Sequence, residues 1–146
     1  MTALEEIEAE RRRQIEAEGW SAEHDDAHDA GELMNAVMCY FLHATGRATY
    51  TTVAVPAQDQ RIRTRRSYIG ANRSIPMGWP WEQQWWKPNG GPRRNLVKSG
   101  ALMLAEKDRI ERVGPPNSST GHVDHKLALV IAEIDRLDRA AGTGGQ

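Results

Sequence analysis

Between Glu23 and Glu32 the chain carries Glu23, His24, Asp25, Asp26, His28, Asp29 and Glu32, seven protonatable side chains in ten residues. Ionised carboxylates hold Mg²⁺ or Mn²⁺, and neutral imidazoles favour Zn²⁺ or Fe²⁺. A helix running from residue 29 onward would set His28 and Glu32 one turn apart on a common face, with Asp25 and Asp26 in its approach. The expected metal ligands are therefore His24, Asp25, Asp26 and His28, the expected ion is Mg²⁺ or Mn²⁺, and Glu32 with His28 would move protons. A purely structural role competes with this one. Asp29 is a good N-cap, Glu32 three residues on completes a capping-box pair, and Asp25 and Asp26 suit the positive end of a helix dipole. Neither the His-Glu-x-x-His nor the EF-hand spacing is matched, so the cluster marks a place and not a reaction.

A second group follows in Gly78–Pro92, where Trp79, Trp81, Trp85 and Trp86 fall within eight residues. They form either a hydrophobic plug or a stacking surface, and one stacked base is worth roughly 1–3 kcal/mol. Lys87, Arg93, Arg94 and Lys98 come immediately after. Arg93 and Arg94 would open a helix, where the free N–H groups favour phosphate and a cation opposes the dipole. That conflict predicts an anion beside them, from a ligand or from the acidic side chains of 23–32. The expected ligand-binding set is Trp85, Trp86, Lys87, Arg93, Arg94 and Lys98, and the expected ligand a nucleotide or other phosphate-bearing small molecule. No P-loop, nucleophile elbow or dinucleotide fingerprint occurs.

The elements that must position these groups are helices. Residues 3–18 are strong helix formers with a thin apolar stripe of Leu4, Ile7 and Ile15, which predicts a helix exposed on most sides and stopped by Gly19. The next helix, about 30–45, is apolar around most of its cylinder (Leu33, Val37, Tyr40, Phe41 and Ala44, with Met34, Met38 and Leu42) and reads as the central one. Residues 46–76 lose periodicity. Thr49–Val55 has β propensity but no obvious partner strand, so a loop or short edge hairpin within a long irregular basic excursion is expected. A helix over 93–112 offers Gly100 and Ala101 for close approach, and Gly114–Gly121 ends it. The last helix, about 122–140, has Leu127, Val130, Ile131, Ile134 and Leu137 at helical spacing, and 142–146 should fray. Leu104–Arg112 and Ile131–Arg139 echo each other at a spacing of 27 residues, which suggests a duplicated helix in an antiparallel hairpin. The fold class is all-α: one helical domain over 1–141 of about four helices, with a Trp-rich connector and the insert 46–76.

Composition narrows the partners. A net charge of −1 hides an acidic segment at 5–32 and basic ones at 61–73 and 93–98; either the two ends dock or the basic side holds an anionic ligand. Double-stranded nucleic acid is disfavoured by the net charge and the lack of a recognition motif. Cys39 is the single cysteine, so no internal disulfide is possible and a buried thiol is expected. No apolar run nears the ~18 residues of a membrane span, and the acidic N-terminus is unlike a signal peptide. A cytoplasmic location, with no membrane partner, is expected.

The set Glu10-Arg-x-x-Gln14, Glu18-Gly-Trp20, Glu23-His-Asp-Asp-x-His28, Gly31-Glu-Leu33, Trp79-Pro-Trp81, Trp85-Trp-Lys-Pro88, Arg94-x-Leu-Val-Lys98 and Ala132–Arg139 resembles a family of small phage- and prophage-encoded proteins, some of them C-terminal modules of longer early-region proteins. This implies an accessory role in a host cytoplasm and no particular reaction. More distantly, the chain is similar to the all-α MazG-like nucleoside triphosphate pyrophosphohydrolases. Their Glu-x-x-Glu and Glu-x-x-Asp pairs hold Mg²⁺, and Glu23-x-x-Asp26 and Asp29-x-x-Glu32 have that spacing. The partner-helix positions read Glu106-x-x-Arg109 and Glu133-x-x-Arg136 instead. The resemblance implies a metal-dependent (d)NTP pyrophosphohydrolase; the alternative is a non-catalytic protein that sequesters a nucleotide signal or contacts a host protein, as monomer or oligomer.

Overall fold

The computed structural model describes residues 1–19, 31–54, 72–115 and 118–144. They form four α-helices and a two-stranded antiparallel sheet, so the chain is mainly helical without being a pure bundle. Helix α1 spans Ala3–Glu18. The Thr2 hydroxyl caps it by accepting the Glu5 N–H at 3.1 Å, and Gly19 closes it at φ 73°, the left-handed conformation that glycine takes without penalty.

The buried face of α1 is not the expected one. Leu4 and Ile15 are each 40% exposed, whereas Ala3, Ile7, Glu10, Arg11 and Gln14 are buried. The helix is rotated toward its polar side because its neighbour supplies charge partners for Glu6 and Glu10, as described below.

Helix α2 spans Glu32–Ala44 and buries Leu33, Ala36, Val37, Cys39 and Tyr40. The expected capping box pairs Asp29 with Glu32. Gly31, at φ 87°, is the residue before the first turn, and no side-chain hydrogen bond caps the helix among the described residues. Asp29 lies outside the described residues. Glu32 stands in the first turn, where a carboxylate suits the dipole.

Strands β1 (Tyr50–Ala54) and β2 (Asn72–Pro76) pair from Tyr50↔Pro76 to Ala54↔Asn72. The expected irregular insert therefore contains a hairpin. Its second strand, Asn-Arg-Ser-Ile-Pro, lacks an alternating pattern, but Ile75 joins the core. The His43 ring at the end of α2 meets the Tyr50 hydroxyl, tying the hairpin to the helix.

A 3₁₀ turn at Gln83–Trp85 precedes helix α3, Gly91–Val113, and α4 spans Gly121–Gly144. The central helix is α3 and not α2: it packs against α1, α2 and α4. Its buried residues include Ser99, Gly100, Ala101 and Ala105, small enough for helices to approach from several sides. A Cβ on Gly100 would lie 2.7 Å from Ile7 Cδ1, so α1 and α3 touch nearly backbone to side chain. The Ser99 hydroxyl donates to the Val37 carbonyl at 3.1 Å, pinning α2 to the other side.

Helix α4 buries Val123, Leu127, Val130 and Ile134 against this core, with Ile131 and Leu137 partly covered. The hairpin of α3 and α4 is antiparallel, since Lys107 near the end of α3 pairs with Asp124 near the start of α4, and Arg93 with Asp138 at the opposite ends. The echoed segments lie on these two helices, and Glu106–Arg109 and Glu133–Arg136 make the same ion pair in each. The stretch expected to fray from residue 142 continues the helix to Gly144. No helix among the described residues is long and apolar enough to cross a membrane.

Candidate functional site

Four residues of α1 spaced by four, Glu6, Glu10, Gln14 and Glu18, form a row down one face, as the helical repeat requires. The row faces the first turns of α3. Arg93 donates to both carboxylate oxygens of Glu6, at 2.7 and 2.6 Å, and to both of Asp138 on α4, at 2.6 and 3.1 Å. Arg93 thus staples three helices. One turn along, the Glu10 side chain is 1% exposed. It takes two hydrogen bonds from Arg13, at 2.9 and 2.6 Å, one from Arg94, and one from the Gln14 amide at 3.4 Å.

Burial alone would push the Glu10 carboxyl up, but the hydrogen bonds from Arg13 and Arg94 outweigh it and hold the group below its ordinary value. Glu6 and Asp138 are held down by Arg93. The arginines at the start of α3 do have anions beside them. These come from α1 and α4, where 23–32 had been one expected source.

Below Glu10 lies a small cavity of about 30 Å³, lined by Glu10, Arg13, Gln14, Glu18, Tyr40, Trp85, Lys87 and Lys98. Its charged lining counts three cations (Arg13, Lys87, Lys98) against two carboxylates, and Arg94 behind Glu10 adds a fourth cation. Arg13 reaches Glu18 at 3.2 Å, and Lys87 lies 4.0 Å from the same carboxylate. The Lys98 ammonium donates to the main-chain carbonyls of Lys87 and Asn89, at 2.6 and 3.3 Å. No ion pair joins it to a carboxylate among the described residues. Burial, then repulsion from Arg94, lowers its pKa. Tyr40 forms the floor; its hydroxyl accepts the Lys87 N–H at 3.3 Å, and burial pushes its pKa up to about 12. Trp85 is 38% exposed at the rim, with the Lys87 ammonium 5.4 Å from its ring centre.

The expected ligand-binding set therefore divides. Trp85, Lys87 and Lys98 meet at one cavity. Arg94 stands behind it, engaged with Glu10, and Arg93 is turned to Glu6 and Asp138. Trp86 is buried in an aromatic cluster with Tyr40, Trp79 and His43, so it serves as the plug while Trp85 keeps an exposed face. No protein-family model, curated protein or solved structure matches this chain.

Of the expected metal and catalytic residues, His24, Asp25, Asp26 and His28 lie outside the described residues. Glu32 sits in the first turn of α2 and is partly buried. Among the described residues no three His, Cys, Asp or Glu side chains converge as a metal site would require. Cys39 is buried, and desolvation pushes its thiol up to about 11, which leaves it a poor nucleophile. Glu10, Arg13, Gln14, Glu18 and Tyr40 were not among the sequence candidates. The signal that finds Glu10, Gln14 and Glu18 is the four-residue spacing of Glu6, Glu10, Gln14 and Glu18, which a search for apolar spacing passes over.

Proposed function

We propose that this chain binds a nucleotide or related phosphate ester at the rim formed by Trp85, Lys87 and Lys98. The supporting observation is Lys98: a partly buried ammonium that donates to two main-chain carbonyls and lies over the Tyr40 ring, with no ion pair to a carboxylate among the described residues, in a lining with more cations than carboxylates. An anion there would relieve the repulsion from Arg94, and the exposed Trp85 ring offers a stacking face for a base. In this reading Arg93 and Arg94 are structural, and they keep the cavity walls together.

The test is calorimetric titration with AMP, ATP and pyrophosphate in the presence of a chelator. Trp85→Ala removes the stacking face, worth roughly 1–3 kcal/mol, and should weaken AMP and ATP while leaving pyrophosphate nearly unchanged. If none of the three gives heat or a thermal shift with the wild-type chain, the proposal fails. Turnover is a further step of the same proposal, a phage-type (d)NTP pyrophosphohydrolase. It assigns a divalent ion to His24, Asp25, Asp26 and His28 and proton transfer to Glu32 with His28, and pyrophosphate release across a (d)NTP panel with Mg²⁺ or Mn²⁺ checks it.

A further inference from the structure

Gln14 is 3% exposed, and it lines the cavity beneath the rim. Its Nε2 donates to Glu10 Oε1, which fixes the orientation of the amide, since the flipped form would set oxygen against carboxylate. That leaves Oε1 buried with no hydrogen-bond partner among the described residues. A buried acceptor left unpaired is costly, so the site calls for a donor. The Tyr40 hydroxyl takes the Lys87 N–H and keeps its own proton to give. One acceptor and one donor thus face a space of about 30 Å³, above the roughly 10–15 Å³ that admits a water-sized group and far too small for a base.

We infer that Gln14 is a specificity-determining residue that reads a hydroxyl of the bound phosphate ester, the hydroxyl entering the cavity while the phosphate stays on Lys87 and Lys98. This rests on the phosphate-ester reading of the rim. A hydroxyl donates to Gln14 Oε1 and accepts from Tyr40. An ammonium would also donate, but three lining cations against two carboxylates disfavour it, and the Glu10 oxygens already accept from Arg13, Arg94 and Gln14.

The experiment compares glycerol 3-phosphate with methyl phosphate, a hydroxylated and a hydroxyl-free monoester, on the wild-type chain and on Gln14→Met. The wild type should bind glycerol 3-phosphate about fivefold to tenfold more tightly, the value of one well-placed hydrogen bond. Gln14→Met should erase that ratio and leave methyl phosphate binding unchanged. The wild-type comparison stands even where the variant does not fold. A wild-type ratio near one, or a ratio that survives Gln14→Met, means an ordered water alone satisfies Gln14 and overturns the inference. Methyl phosphate and AMP binding normally with a ratio of one would sink this inference only. No binding of any phosphate ester would sink the rim reading with it.

Discussion

Replacing Glu10 by glutamine removes one charge from a side chain that is 1% exposed and hydrogen-bonded by Arg13 and Arg94. Taking one partner from a buried ion pair costs about 3–5 kcal/mol when the other is stranded. Here the arginines are 41% and 38% exposed, so water recovers part of the loss, and Arg13 keeps Glu18. A cost of about 2 kcal/mol results, or roughly 4–8 °C in melting temperature for a chain of this size. Urea and thermal denaturation at pH 7 measure it.

The pH dependence supplies a second check. Glu10 is held below the ordinary glutamate value of 4.5, so its contribution is fully present above about that pH and is lost as pH falls through the lower, folded-state value. The gap between wild type and Glu10→Gln should therefore be constant from neutral pH down to about 4.5 and narrow as the pH falls further. A gap under about 0.5 kcal/mol at pH 7, the range of an ordinary surface substitution, would refute the reasoning. So would a gap that does not narrow in acid.

Gly100→Ala should destabilise despite the better helix former. The new methyl would meet Cδ1, Cγ1 and Cγ2 of Ile7 at 2.7, 2.9 and 3.1 Å, so no single rotamer change relieves it. Overpacking of about 1–3 kcal/mol, less about 1 for propensity, leaves a loss of up to roughly 2 kcal/mol, and pairing with Ile7→Val, which removes only Cδ1, should cost less in urea melts than the two single changes added together. Arg93→Met should lower the melting temperature at low ionic strength and do so less in molar salt, because its partners Glu6 and Asp138 are partly open to water. The wild type should also lose stability in acid as Glu6 and Asp138, both held below their ordinary values by Arg93, take up protons.

The last helix was the most legible element, because Leu127, Val130 and Ile134 carry a clean 3.6-residue period and all three are buried. Gly100 also read correctly as a point of close approach. What misled was the use of apolarity as a proxy for centrality. Helix α2 is the more apolar, yet α3 occupies the centre because small residues let neighbours in from several directions. The same bias hid the buried face of α1, where the stripe is charged and could be recognised only together with Arg93 and Arg94, more than eighty residues away. The partner of β1 was illegible because strand pairing is set by the far side of the hairpin, and Asn72–Pro76 lacks a periodic signal of its own. Of the ligand set, the sequence placed Trp85, Lys87 and Lys98 in one neighbourhood but could not tell Trp85 from Trp86, since adjacent tryptophans differ only in which way the chain turns them.

The four-residue row on α1 also bears on how that helix finds its place. A ladder of acids repeating every turn is nearly indifferent to sliding by one turn along a basic neighbour, about 5.4 Å. The break in the ladder at Gln14 removes that ambiguity. Sliding one way would bring neutral Gln14 to Arg94 and the Arg11 guanidinium into the slot that Ile7 fills against Gly100. Sliding the other way would offer Thr2 to Arg93 and leave only Ala3 in the Ile7 slot, opening a void. Gln14 thus helps confine the helix to a single setting, and the same uncharged amide holds the acceptor that faces the cavity.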